Sequence, residues 1–310
     1  MSPCRVEGAD LRVMQGNAGL GSTTILNGFG ISLGDGIIGL QALFAARSLG
    51  AIEGRVVLGR KEPPAKPLVP QIYRFAADFA EVVPLPEAPL SGRVIDIRDF
   101  AFDPFFRQVA MIDFFLTRLG LQPSSVPASL KRMTWLAPRM APLPPLPMAP
   151  GYVLVCPNAS IPLRDMPDAV HEALVAQLLA RGWGPVVTQG AAPAGASTMP
   201  HCATIAELCA FVAGARAVVS TDTAMVHLAD AFSVPCLAFM TTHRPAMRVR
   251  DYPLCRAVHL PVAGLPDNTE FVRSEADIAA AQSAWFPEGE DFAWLDYALD
   301  QFASATLRGR

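Results

Sequence analysis

The chain has 310 residues, of which 51% are hydrophobic and 17% charged, and its formal net charge is -3. That length exceeds one small core and suits two domains of about 150 residues each, and the composition is that of a packed globular protein rather than a disordered one. A weakly acidic chain offers no long-range field to nucleic acid, so nucleic-acid binding is set aside.

The opening residues, MSPCRVEGAD, lack the basic flank and apolar run of a secretory signal. No stretch reaches the roughly 18 apolar residues of a membrane span. A cytoplasmic protein is expected, with a peripheral membrane contact left open. The six cysteines, at 4, 156, 202, 209, 236 and 255, form no C-x-x-C pair. They are expected to be reduced and structural, and His201 beside Cys202 is too little to argue for zinc.

In chain order, short buried strands are predicted at 23–30, 55–59, 93–97, 152–157, 185–189, 217–221 and 234–240. Helical periodicity occupies 36–48, 167–181, 205–214 and 224–232. Strands alternating with helices imply an α/β protein with parallel sheets covered on both faces. Pro167 and Gly182 punctuate one helix, and Thr204-Ile-Ala-Glu207 is a capping box opening the next. The segment 137–151 is dense in proline and reads as an extended linker. It divides the chain into an N-terminal domain (1–147) and a C-terminal domain (148–286). A last amphipathic run, 291–307, carries Phe292, Leu295, Leu299 and Phe302 within a terminal segment 287–310. That helix is expected to pack back towards the N-terminal domain. Phe100, Phe102, Phe105 and Phe106 are expected to be core residues.

Two stretches carry chemistry. STDTAMVHLADAFSVP (220–235) places Asp222 at a strand's carboxyl end, as a cap for a helix from about Thr223, with His227 one turn in. Asp222 and His227 are either a cap and a surface residue, or part of a diphosphate site at a helix start beyond the strands' carboxyl ends. The nearest plausible cation is Arg164, on the loop CPNASIPLRDMP (156–167). In the N-terminal half, Gly34-Asp35-Gly36-Ile37-Ile38-Gly39 satisfies G-x-G-x-x-G after a strand, with Arg60 and Lys61 after the next one. Asp35 would set a carboxylate against a bound pyrophosphate; without one, it is an acid at a strand's end, where a general base is wanted.

Taken together, the chain resembles glycosyltransferase family 9, the heptosyltransferases of the lipopolysaccharide core. The matching stretches are GISLGDGIIGLQALFAAR (30–47), CPNASIPLRDMPDAVHEALVAQLLARGW (156–183) and TIAELCAFVAGARAVVS (204–220) running into DTAMVHLADAFSVP (222–235). The resemblance implies a GT-B fold, two Rossmann-like domains facing across a cleft. It further implies a metal-independent, cofactor-free, inverting glycosyltransferase that takes a nucleoside-diphosphate sugar, an ADP-sugar by expectation, to a glycan or glycolipid acceptor. Carried over residue by residue, Asp35 matches the catalytic base, and Ser160, Arg164, Asp222, Thr223, Ala224 and His227 match the donor site.

This sequence departs from the family at Ala224, where the family has Gly, at Arg164 in place of Lys, and at the loop 156–160, which lacks the usual Gly. Those departures put the heptose donor in doubt. Two rival readings are an NADP-dependent oxidoreductase using the 34–39 loop and a non-catalytic nucleotide-binding relative.

Overall fold

The computed structural model describes residues 21–61 and 66–307; the opening residues and Cys4 lie outside them. In the N-terminal half the elements are β1 (Ser22–Leu26), α1 (Leu33–Ser48), β2 (Arg55–Arg60), α2 (Val69–Arg74), β3 (Glu81–Pro84), β4 (Arg93–Asp96), α3 (Met111–Arg118) and a single turn, α4 (Ala137–Met140). The C-terminal half contains β5 (Val153–Cys156), α5 (Asp168–Ala180), β6 (Val186–Thr188), β7 (Ser197–Thr198), α6 (Ile205–Gly214), β8 (Ala217–Thr221), α7 (Ala224–Ala231), β9 (Cys236–Met240) and β10 (Cys255–His259). It ends with α8 (Glu275–Ser283) and α9 (Ala293–Phe302).

Two parallel sheets result, ordered β3-β2-β1-β4 and β10-β9-β8-β5-β6-β7. Alternation along each strand divides the second sheet's side chains between two cores. Val153, Val155, Leu237 and Phe239 point into one, which α5 and α9 close with Leu174, Leu178, Leu295 and Leu299. Leu154, Cys156, Val218 and Ala238 point into the other, which is continuous with the N-terminal half through Ile37, Phe115, Trp135 and Val226. Because one core runs through both halves, the ends of their strands meet at a fixed place.

The helix starts are specified locally. Ser32 Oγ accepts from the Asp35 amide at 3.1 Å and caps α1. Thr204 and Glu207 form the expected capping box on α6, at 3.2 and 2.9 Å.

Three expectations need correction. Asp222 is not the cap of α7: Thr223 Oγ1 takes that position, accepting from the Met225 amide at 3.1 Å. The terminal helix α9 packs on the C-terminal domain, not the N-terminal one. Its Leu295, Leu299 and Phe302 complete the core behind β9, and Arg181, just past the end of α5, donates to Asp296 at 2.6 Å. Of the four phenylalanines, Phe100 and Phe106 are buried, whereas Phe102 is 65% exposed and Phe105 also faces solvent. Phe102 stacks on Phe271 from the other half, centroids 5.2 Å apart, so it belongs to the seam between domains.

Candidate functional site

The amino ends of α1 and α7 approach each other across the seam. A Cβ added to Gly34 would stand 3.3 Å from His227 Cδ2 and 3.9 Å from the Ala224 Cα. A Cβ here would press on the His227 ring and touch α7, so glycine leaves room for the approach of the two helices. Both ends present free amide groups and the positive pole of the helix dipole, which together favour an anion.

Asp35, the third residue of α1, lies half-buried at this meeting point, its carboxylate against Gly30 and close to Phe100. Gly30 has φ +73°, and a Cβ there would lie 2.9 Å from Asp35 Oδ2, so glycine is needed for both conformation and space. Burial raises the Asp35 carboxyl above the usual carboxylate range. The Ser32 hydrogen bond opposes that shift, and Glu270 adds to it. A carboxyl with a raised pKa is a stronger base when ionised, the property a general base needs.

On the opposite side, Arg164 follows β5 and Asp222 follows β8. Arg164 Nη1 donates to Asp222 Oδ2 at 3.1 Å and Nη2 donates to Ser160 Oγ at 3.1 Å, while Nε is buried without a partner. Asp222 is 3% exposed, and although burial alone would raise its pKa, Arg164 and then His243 hold it well below the carboxylate range. Asp222 therefore anchors Arg164 rather than capping a helix.

Sequence reasoning missed three members of this cluster. His243 Nδ1 lies 2.9 Å from Asp222 Oδ2, and its Nε2 lies 2.9 Å from Glu270 Oε1. Arg248 Nη2 donates to the same Glu270 oxygen at 2.6 Å, and its guanidinium sits 5.6 Å from the centre of the Phe106 ring in the other half. Glu270 is held far below its ordinary range by Arg248 and His243 despite burial. The available signal was position: His243 and Arg248 lie on the loop that follows β9, at the carboxyl edge where open α/β sheets bind ligands.

Thr223 and His227 are committed elsewhere. The Thr223 hydroxyl caps α7 and bonds Ser220 Oγ at 3.0 Å. His227 is buried, its Nδ1 2.8 Å from the Tyr252 hydroxyl, and burial lowers its pKa to about 4, so it is neutral at pH 7. The structure thus brings Asp35, Ser160, Arg164 and Asp222 to one locus and turns His227 into the packing between domains.

The glycine loop does not fit a dinucleotide. A Cβ on Gly36 would meet the Tyr73 hydroxyl at 2.9 Å, and one on Gly39 would overlap Phe29 at 2.0 Å. These glycines accommodate aromatic side chains of the same domain. Arg60 is buried over the Tyr73 ring, 3.5 Å from its centre, and donates to the Gly28 carbonyl, so it does not await a 2′-phosphate. Among the described residues no group of three or more His, Cys, Asp or Glu is arranged to hold a metal ion. No helix among them is long and apolar enough to cross a membrane.

Residues 138–256 match glycosyltransferase family 9 (heptosyltransferase). No curated protein matches the sequence. Among solved structures, the iron-containing dodecameric glycosyltransferase TibC from enterotoxigenic E. coli H10407 aligns with TM-score 0.60 and 13% identity, over 91% of this chain and 76% of that one. E. coli heptosyltransferase WaaC with ADP aligns with TM-score 0.56 and 14% identity, over 91% and 100%. The glycosyltransferase family 9 structure from Veillonella parvula DSM 2008 gives 0.53 and 13%, over 91% and 97%. The two parallel sheets are therefore a GT-B fold, and the segment 138–256 within it is similar to glycosyltransferase family 9 (heptosyltransferase).

Proposed function

We propose that the protein is a metal-independent, inverting glycosyltransferase that moves a sugar from a nucleoside-diphosphate donor to a hydroxyl of a glycan or glycolipid. The observation that carries this reading is the placement of Asp35 from one domain opposite Arg164 and Asp222 from the other, across the close approach of Gly34 and Ala224. TibC has been solved in complex with ADP-D-beta-D-heptose and WaaC with ADP, which makes an ADP-sugar the first donor to test.

In this mechanism Asp35 takes the proton from the acceptor hydroxyl as the oxygen attacks the anomeric carbon. The bond from that carbon to the diphosphate breaks, and its electrons pass to the leaving phosphate oxygen. Arg164 stabilises the charge that develops there. A guanidinium has five N–H donors in a fixed fork, and Asp222 and Ser160 each accept from one terminal nitrogen. Arg164 therefore stays anchored while the remaining N–H groups of its terminal nitrogens are left for phosphate oxygens. Ser160 and the free amides at the start of α7 complete the donor's diphosphate contacts. His227 acts through packing, since a neutral ring bonded to Tyr252 is a poor charge stabiliser.

The test is transfer and donor binding measured side by side in Asp35→Asn. Loss of transfer by a hundredfold or more, with donor affinity nearly unchanged, is the expected result. Unchanged turnover would remove Asp35 from the chemistry.

A further inference from the structure

A cavity of about 480 Å³ lies away from this site. It opens between β10, the last strand of the second sheet, and α9. Its size falls in the range of small-molecule sites. It shares no residue with the cluster around Asp35 and Arg164.

The chemistry of its lining is one-sided. Arg256 and Val258 alternate onto the face of β10 that α9 covers, as the packing of Val258 with the α9 core shows. Arg256 has no hydrogen bond or ion pair among the described residues, although strand residues with a charged head normally find one. Trp294 on α9 contributes an indole whose Nε1 is buried without a partner, and His259 at the strand's end has a buried, unpartnered Nε2. Leu260 supplies apolar wall, and Tyr297 stands 65% exposed beside the opening. No Asp or Glu among the described side chains lines the cavity.

We infer that this cavity is a second binding site, taking a small amphiphilic anion: an apolar, preferably aromatic body with a carboxylate or phosphate head. The body lies between Trp294, Tyr297 and the aliphatic wall, and the head accepts from Arg256 and the indole N–H. A buried donor without a partner, such as the Trp294 indole N–H, is costly in native proteins, and an acceptor-only head would satisfy it together with the partly exposed Arg256 guanidinium. A guanidinium matches a carboxylate or phosphate through two parallel hydrogen bonds.

The test is saturation-transfer NMR on the full chain with benzoate, phenyl phosphate and neutral benzyl alcohol, each measured with and without saturating ADP. Both anions should bind, at least tenfold more tightly than benzyl alcohol, and their binding should persist in ADP. Arg256→Gln should weaken both anions about tenfold, and Trp294→Phe should weaken them less, with the thermal shift given by ADP unchanged in either variant. Three results would overturn the inference: equal binding of the neutral probe, anion binding indifferent to Arg256→Gln, or no transfer from any probe at millimolar concentration. Failure of ADP to bind would count against the proposed transferase site and leave this test readable, because Arg256 is not part of that site.

Discussion

Asp222 and His243 are joined side chain to side chain, Oδ2 to Nδ1 at 2.9 Å, and the opposite ring nitrogen lies at the same distance from Glu270. The imidazole thus bridges two carboxylates, Asp222 buried and Glu270 partly buried, each of which also holds an arginine, Arg164 on one and Arg248 on the other. Buried charges persist when every member is paired. Here the pairing fixes two guanidiniums on either side of the ring.

Removing Arg164 separates anchoring from binding. In Arg164→Ala, Asp222 keeps His243, so the loss of stability should fall below the roughly 3–5 kcal/mol of a buried pair broken outright. Nucleotide affinity should fall more than tenfold. Arg164→Lys restores the charge without the fork and should recover affinity only in part. Denaturant melts and nucleotide titrations on the three proteins check this.

Acid should destabilise the protein in two steps. His227 is neutral in the fold with a pKa near 4 and titrates near 6.5 when unfolded, so the unfolded chain binds more protons between these values. Stability is therefore full above about pH 6.5 and declines as pH falls towards 4. Asp222 and Glu270 have depressed folded values, so their contribution is present above the ordinary carboxylate range and is lost only in stronger acid. Melting temperature against pH for the wild type and His227→Phe should show the upper step flattened in the variant. An identical slope from pH 6.5 to 4 in both would contradict the assignment.

The glycine loop yields a packing prediction. A Cβ at position 39 would overlap Phe29, so Gly39→Ala should cost about 1–3 kcal/mol or more by overpacking. NADPH should neither bind the wild type nor rescue the variant, as a thermal-shift titration would reveal.

The terminal helix should be integral to the C-terminal domain. Leu299 is fully buried in the core behind β9, and Leu299→Ala should cost roughly 2–5 kcal/mol. Chemical denaturation would check it; a change below about 0.5 kcal/mol would place that helix outside the cooperative unit.

The sequence made the seven predicted strands legible because their apolar runs are short and sharply bounded, and each corresponds to a strand in one of the two sheets. It missed β3, with three exposed residues in four, the two-residue exposed β7, and β10, whose residues are all half-buried, because none carries a strong apolar run. Asp35, Arg164 and Asp222 were visible because each falls in a recognisable turn after a strand. His243, Arg248 and Glu270 were not, since their significance depends on one another and on Asp222, which precedes Glu270 by 48 positions. The docking of α9 was misjudged because an amphipathic pattern shows which face is buried but not against what.

The measurement that bears most directly on the transferase reading is thermal stability of the wild type at saturating ADP, UDP, GDP, TDP and NADPH, repeated on Arg164→Ala. A ligand at about a hundred times its dissociation constant adds about 2.7 kcal/mol. Stabilisation by one nucleoside diphosphate, ADP before the others, that is lost in Arg164→Ala is the expected result. Stabilisation by NADPH alone, or by none of the five, would contradict a donor site built on Arg164 and Asp222.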